Sequence, residues 1–313
     1  MALSSESVRP ARARPLELFG AATPAQHPEG ASQHARFTVA ADDPVFAGHY
    51  PGFPLLPGVY LVEAALQLLE ARGLAGHLPG RALAGIRDLR LFAAILPGMA
   101  VSVTLAGAAA GPGEHAWRCS FRDAAGERPL GSLTLVLGPQ SAPPPQPARA
   151  ALPDALHLGP CDIINRLAHR SPILLVDRAS IGADGKALRA RKLVSLNEPC
   201  YGRLGEVDRP HQLAYPACLQ VESFVQACAL LVTQARPLVR AEEVMILGAI
   251  GAVHLHAPVY PGAVLRHEVQ LQRLIADTAL IDGVSRSGRH VVARFCQVLV
   301  AIRPVAGLRP PAR

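Results

Sequence analysis

The sequence predicts an α+β protein of two similar domains, each a long buried helix set against an antiparallel sheet. Three observations predict it: a helix-length segment that occurs twice, strand-like alternation after each copy, and a proline-rich break between the copies. The 313 residues also fit two domains of about 100 to 150 residues better than one.

The first copy, PGVYLVEAALQLL, begins at Pro57, and the second, PACLQVESFVQACALL, begins at Pro216. They align without a gap at a separation of 159 positions: Pro57 with Pro216, Val62 with Val221, Glu63 with Glu222, and Gln67 with Gln226. Proline at a helix start supplies a fixed φ where the missing N–H costs nothing. Pro97-Gly98 then recurs as Pro261-Gly262. In the first half Val101, Val103 and Leu105 alternate with polar residues, as do Trp117, Cys119 and Phe121, which is the period of a half-buried strand. DAAG at 123–126 turns the chain into a further strand over 133–137. The second half predicts strands over 264–274, 279–284 and 291–302, with SRSG as a turn. Between the halves, PQSAPPPQPARAALP has no periodicity and reads as a linker. The expected division is a loose N-terminal arm over 1–32, a first domain over 33–138, the linker over 139–153, a second domain over 154–305 and a tail over 306–313.

Half the residues are hydrophobic and 18% are charged, which excludes a mostly disordered chain. Apolar runs are interrupted before the roughly 20 residues that a membrane span needs. The N-terminus lacks the apolar stretch of a secretory signal, so the expected location is the cytoplasm. Six scattered cysteines without a CxxC spacing suit reduced, mostly buried thiols and argue against a metal centre. The net charge of +7 favours an acidic partner. Basic residues are dispersed along the chain and aromatics are only 4%, so nucleic acid is not the expected partner.

Glu63 and Gln67 are the polar residues of LVEAALQLL, a segment otherwise apolar on every face, and Glu222 and Gln226 hold the same places in the second copy. A buried carboxylate needs a partner, a proton or a task, and i, i+4 spacing puts each glutamine beside its glutamate. A structural hydrogen-bonded pair and a functional acid both fit this pattern. Before the first helix, DPVFAGHYPGFPLLPG builds an irregular glycine- and proline-rich loop that presents His49.

GHYPGFPLLPGVYLVEAALQ closely resembles the active-site signature of the β-hydroxyacyl-acyl-carrier-protein dehydratases, in which a loop histidine and a helix carboxylate fourteen residues later are catalytic. Glu63 follows His49 by fourteen residues. LAHRSPILLVDRA at 167–179 and LVSLNEPCYG at 193–202 resemble other segments of the same family. Together the resemblance covers roughly 35–137 and 160–303 and implies a hotdog fold in each half, a double hotdog in which each long helix is wrapped by its sheet. Dehydratase domains of polyketide synthases are similar in this tandem form.

The second half departs from the signature. Its histidine position falls at Asp208, and His211 is displaced by three positions, so it reads as a surface or loop histidine. His169 reads as structural, like its counterpart in the family. The resemblance implies sites between two hotdogs, with histidine from one and acid from the other. His49 would then work with Glu222, while Glu63 faces a position without histidine.

The implied reaction is loss of water from a 3-hydroxyacyl thioester on acyl carrier protein to give the trans-2-enoyl thioester. His49 is the expected base. Glu222, raised in pKa by burial, is the expected acid. Backbone N–H groups at a helix start would stabilise the thioester oxygen, with Gly58 and Val59 or Ala217 and Cys218 as the candidates. Gln226 either orients Glu222 or merely solvates the helix face. No cofactor or metal is implied. Two rivals remain: a hotdog thioesterase, which leaves the histidine loop unexplained, and a non-catalytic acyl-binding or dehydratase-partner subunit. Two hotdogs in one chain already form a dimer-like unit, so either a monomer or a homo-oligomer fits.

Overall fold

The computed structural model describes residues 12–19, 32–74, 82–125, 128–143, 152, 155–237 and 242–308. Of the helices α1 (Pro44–Gly48), α2 (Tyr60–Ala71), α3 (Pro160–Arg166) and α4 (Ala217–Ala235), the two long ones, α2 and α4, form its centre and pack against each other. Each begins within three residues of its predicted proline. In α2, Leu61, Val62, Ala64, Ala65, Leu68 and Leu69 are all buried, so the segment is enclosed on every side rather than along one stripe. The stretch 210–235 is long and apolar enough to cross a membrane by length and composition, but 89% of its apolar window is buried inside the protein. It is a core helix.

Around the helices runs one antiparallel sheet of twelve strands. The first repeat supplies β1 (Gln33–Thr38), β2 (Ala82–Leu91), β3 (Ala100–Ala108), β4 (His115–Asp123) and β5 (Pro129–Gly138). The second supplies β6 (Leu156–Leu158), β7 (Arg178–Ile181), β8 (Ala187–Leu193), β9 (Glu243–Leu255), β10 (Val264–Ile275), β11 (Thr278–Ser287) and β12 (His290–Pro304). Their order is β1-β3-β4-β5-β2-β9-β12-β11-β10-β8-β7-β6. Read outward from the centre, β2-β5-β4-β3-β1 is matched by β9-β12-β11-β10-β8, so the repeats mirror each other about the β2–β9 seam. There Gly85 faces His254 and Leu89 faces Ile250. One apolar core extends through both repeats, with Phe121, Phe224 and Phe295 among its largest members. This is the double hotdog that the resemblance implies.

The predicted strands lie within β3, β4, β5, β10, β11 and β12. Outside them, one expectation needs revision. Residues 12–19 are docked rather than loose: Ala13 and Leu16 are buried, Ala13 N–H donates to the Gln212 carbonyl (2.8 Å) and Arg14 N–H to that of Cys200 (3.1 Å). The tail stays ordered through a 3-10 turn at Val305–Leu308. Cys161 is exposed, while Cys119, Cys200, Cys218 and Cys228 are buried; all six cysteines are free thiols. Most of the linker, 144–151 and 153, lies outside the described residues, as does 154.

Candidate active site

A short helix, α1 (Pro44–Gly48), delivers His49. Asp43 caps it by accepting from Val45 N–H (3.0 Å), and His49 N–H donates back to the Val45 carbonyl (2.9 Å). Gly48 is required by close approach. A Cβ there would sit 2.7 Å from the Arg170 carbonyl oxygen and 2.8 Å from that of Ser171, so any side chain would push the loop off the second repeat. Arg170 N–H also donates to the Gly48 carbonyl (2.7 Å), which ties the histidine loop to the segment carrying His169. The Tyr50 hydroxyl donates to the Met245 carbonyl and pins the loop's other flank.

His49 is buried, with Nδ1 2.7 Å from the Leu55 carbonyl. A carbonyl only accepts, so Nδ1 carries the proton and the neutral ring keeps its lone pair on Nε2. Burial, reinforced by the neighbouring His169, lowers the His49 pKa from 6.5 to about 4, so the ring is neutral at neutral pH.

Glu222 comes from the other repeat. Gln226, one turn along α4, donates to its Oε1 (3.0 Å) and to the Ile173 carbonyl (2.6 Å), and accepts from Leu175 N–H (2.9 Å). All of the amide's groups are thereby used, and Gln226 holds the carboxylate from behind instead of lining the cavity. His169 Nε2 lies 3.3 Å from the same Oε1. His169, which in sequence reads as structural, stands in the site, its ring 5.2 Å from that of His49. Its Nδ1 is buried with no hydrogen-bond partner among the described residues.

Glu222 also departs from its expected ionisation. Burial alone raises its pKa, but the hydrogen bond and charge of His169, the charge of His49 and the Gln226 bond outweigh burial and hold it below the usual carboxylate value. In the free protein this carboxyl is ionised at neutral pH.

His49, His169 and Glu222 line a cavity of about 120 Å³ whose other walls are mostly apolar, including Leu55, Leu61, Ile95 and Val225. Gly58 and Val59 line it as well. The first turn of α2 is closed by Tyr60 N–H bonding to the Pro57 carbonyl (2.9 Å), so the Gly58 and Val59 N–H groups precede the helix's own ladder. A Cβ on Gly58 would meet Leu91 at 2.1 Å. Ala217 and Cys218 do not line this cavity; the Cys218 thiol lies 4.0 Å from Glu63, near the other glutamate. Two imidazoles and a carboxylate with donor atoms within 4.8 Å of one another are also a set that can hold a divalent metal ion.

Around Glu63 the same scaffold recurs with different chemistry. Gln67 donates to Glu63 (2.7 Å) and to the Leu16 carbonyl (2.8 Å), and accepts from Leu18 N–H (2.9 Å). Leu16 and Leu18 therefore correspond to Ile173 and Leu175, which makes ARARPLELF the counterpart of AHRSPILLV and Arg12 the counterpart of His169. Arg12 Nη2 and Nη1 grip both oxygens of Glu63 at 2.9 and 3.1 Å, and its Nε bonds Glu70. Burial opposes the guanidinium's charge, but Glu63 and Glu70 prevail and raise its pKa, so it never releases its proton. No histidine reaches this carboxylate among the described residues. Asp208, at the expected histidine position, is exposed beside Arg209, and His211 is exposed in the 3-10 turn Pro210–Leu213.

A family model described as ApeI dehydratase matches residues 25–127, and one described as a FabA-like domain matches residues 167–295. The chain is 33% identical over 145 residues to the 3-hydroxyacyl-acyl-carrier-protein dehydratase FabZ of Polaromonas sp., a match covering 97% of that protein and 46% of this chain. It is 37% identical over 122 residues to the FabZ of Haemophilus ducreyi, covering 77% of that protein and 39% of this chain. Among solved structures, the dehydratase domain from the CurH module of curacin polyketide synthase superposes with a TM-score of 0.62 at 14% identity, covering 94% of this chain and 99% of that one. The dehydratase domain of PpsC from Mycobacterium tuberculosis gives 0.60 at 16% identity, covering 90% and 98%. These structures share the fold over nearly the whole length, and a near-complete FabZ match uses less than half of the chain. The protein thus belongs to the 3-hydroxyacyl-acyl-carrier-protein dehydratase family, as a tandem double hotdog.

Proposed function

We propose that the protein removes water from a 3-hydroxyacyl thioester on acyl carrier protein to give the trans-2-enoyl thioester, in fatty acid or polyketide biosynthesis, with the cytoplasm as its location. The observation that carries this reading is the convergence of His49 from the first repeat and Glu222 from the second in one mostly apolar cavity.

His49 Nε2 takes the C2 proton, for which a neutral ring with its lone pair facing the cavity is suited. Negative charge then grows on the thioester oxygen, and the N–H groups of Gly58 and Val59 at the start of α2 supply donors for it. Glu222 accepts a hydrogen bond from the 3-hydroxyl and fixes its orientation. Because Glu222 is ionised and His49 neutral at the outset, the pair holds no spare proton. The proton taken from C2 is therefore the one returned from His49 to the leaving oxygen, and water departs with both residues restored. Gln226 and His169 are positioning residues for Glu222. A single chain holds a complete site, so a monomer suffices for turnover.

Intact-protein mass spectrometry of 3-hydroxyacyl carrier protein incubated with the enzyme tests this directly. A loss of about 18 Da from the acyl carrier protein is expected. Release of unacylated carrier protein would instead identify a thioesterase, and no mass change a binding subunit.

A further inference from the structure

Basic residues that are scattered along the sequence are brought together by strand register in the second repeat. Arg178 on β7 lies opposite Arg191 on β8, Arg191 opposite Arg266 on β10, and Arg266 opposite Arg286 on β11. Four arginines thus occupy one register row across four adjacent strands, spanning roughly 14 Å at the usual strand spacing. The next row, Ala179, Ala190, His267 and Ser285, is buried, and His267 bonds Ser223 on α4 (3.0 Å). The arginine row therefore occupies the outer face, on the side of the sheet away from the central helix.

Like charges directly opposite in a sheet destabilise it. Six arginines line the concavity over it (178, 189, 191, 266, 286 and 289), and among the described lining residues one carboxylate answers them: Glu268, which lies opposite Arg189 in register and is bonded to Arg286 (3.2 Å). The concavity encloses about 800 Å³ and is walled on one side by Leu152, Ala155 and Leu158. Arg266 and Arg286 also donate to the Gly288 and Arg289 carbonyls, which hold their guanidinium groups over the floor.

We propose that this outer face is a binding site for a small organic molecule bearing two or more phosphate groups. Guanidinium forks match phosphate oxygens in pairs, and several in a row suit an anion with several phosphates. A walled concavity of this size is in the range of small-molecule sites, and its apolar side accommodates a non-phosphate portion. A flat acidic protein face and a nucleic-acid strand fit such a walled recess less well, and no Phe, Tyr or Trp among the described residues lines it for base stacking. The site shares no lining residue with the catalytic cavity.

The probe is inorganic tripolyphosphate, titrated calorimetrically into the full chain at low ionic strength. Arg191→Gln/Arg266→Gln is expected to weaken its binding at least tenfold, while Arg118→Gln, at an exposed position in the first repeat, leaves it unchanged. Without the anion, the double variant should melt at or above the wild-type temperature, because removing two charges relieves the row. That result also shows that the variant folds. Unchanged tripolyphosphate affinity in the folded double variant would overturn the proposal. So would tighter binding of oligothymidylate or a polyglutamate peptide of matched charge, since a strand or an acidic chain would then be the better occupant.

Discussion

Glu222 and Glu63 stand on equivalent helices, each held by a glutamine one turn later whose amide bridges to an equivalent extended segment. What differs is the group that faces the carboxylate. Glu222 meets two imidazoles, those of His49 and His169. Glu63 meets a guanidinium that keeps its charge under all ordinary conditions. The comparison separates the machinery that holds a buried carboxylate, which both repeats retain, from the machinery that uses it, which needs His49. In the second repeat that histidine's position has moved to the surface as Asp208, and the Glu63 site has become an ion pair that fastens the N-terminal segment to the core.

The comparison breaks hardest at His49. His49→Ala should lower turnover by roughly 10²- to 10⁴-fold, as loss of a general base does, and adding Glu222→Gln should cost little more because the two act as one unit. Steady-state rates of the two single variants and the double variant would show this. Multiplicative losses would mean that the residues act separately.

Arg12→Ala should act on stability. Breaking a buried ion pair leaves Glu63 uncompensated and typically costs 3–5 kcal/mol. Arg12 keeps 23% of its side chain exposed, which puts the expected loss near the bottom of that range, at about 3 kcal/mol. Denaturant unfolding would register it, while turnover measured well below the unfolding midpoint should hold.

A smaller effect concerns His169. Its charge lowers the His49 pKa, so His169→Gln should raise that pKa. The base works only when neutral, so kcat/KM falls as pH drops through the His49 pKa, about 4 in the wild type. In the variant the fall should begin at higher pH. A merely structural His169 would lower the whole profile without moving its acid limb.

Much of this contrast was legible in the sequence, because it resides in local patterns. The prolines mark the helix starts, the Glu–Gln pairs are conspicuous in apolar helices, and the GHYPG loop sits fourteen residues before Glu63. The role of Arg12 was not legible for a physical reason. The segment holding it aligns with its repeat at a separation of 157 positions and the helices at 159, and nothing periodic connects them. Only the hydrogen bonds of Gln67 and Gln226 reveal the correspondence. His169 reads as structural in the sequence because its significance depends on the Gly48 loop packing against its segment from the other repeat. The ionisation of Glu222 is not legible in the sequence because burial is the one influence visible from an apolar helix, whereas the opposing influences come from residues distant in sequence. The arginine row depends in the same way on strand register, which the spacing of Arg178, Arg191, Arg266 and Arg286 does not disclose.

The measurement that bears most directly on a catalytic site shared between repeats is the turnover of Glu222→Gln beside that of Glu63→Gln, on the same 3-hydroxyacyl carrier protein and with folding checked for both. Glu222→Gln keeps the shape and removes the charged acceptor that orients the 3-hydroxyl, so its rate should fall by roughly 10²-fold, the scale of lost positioning, while Glu63→Gln should retain most activity with any loss tracking stability. A dead Glu63→Gln variant alongside a Glu222→Gln variant at near wild-type rate would contradict the account and assign His49 to the carboxylate of its own repeat.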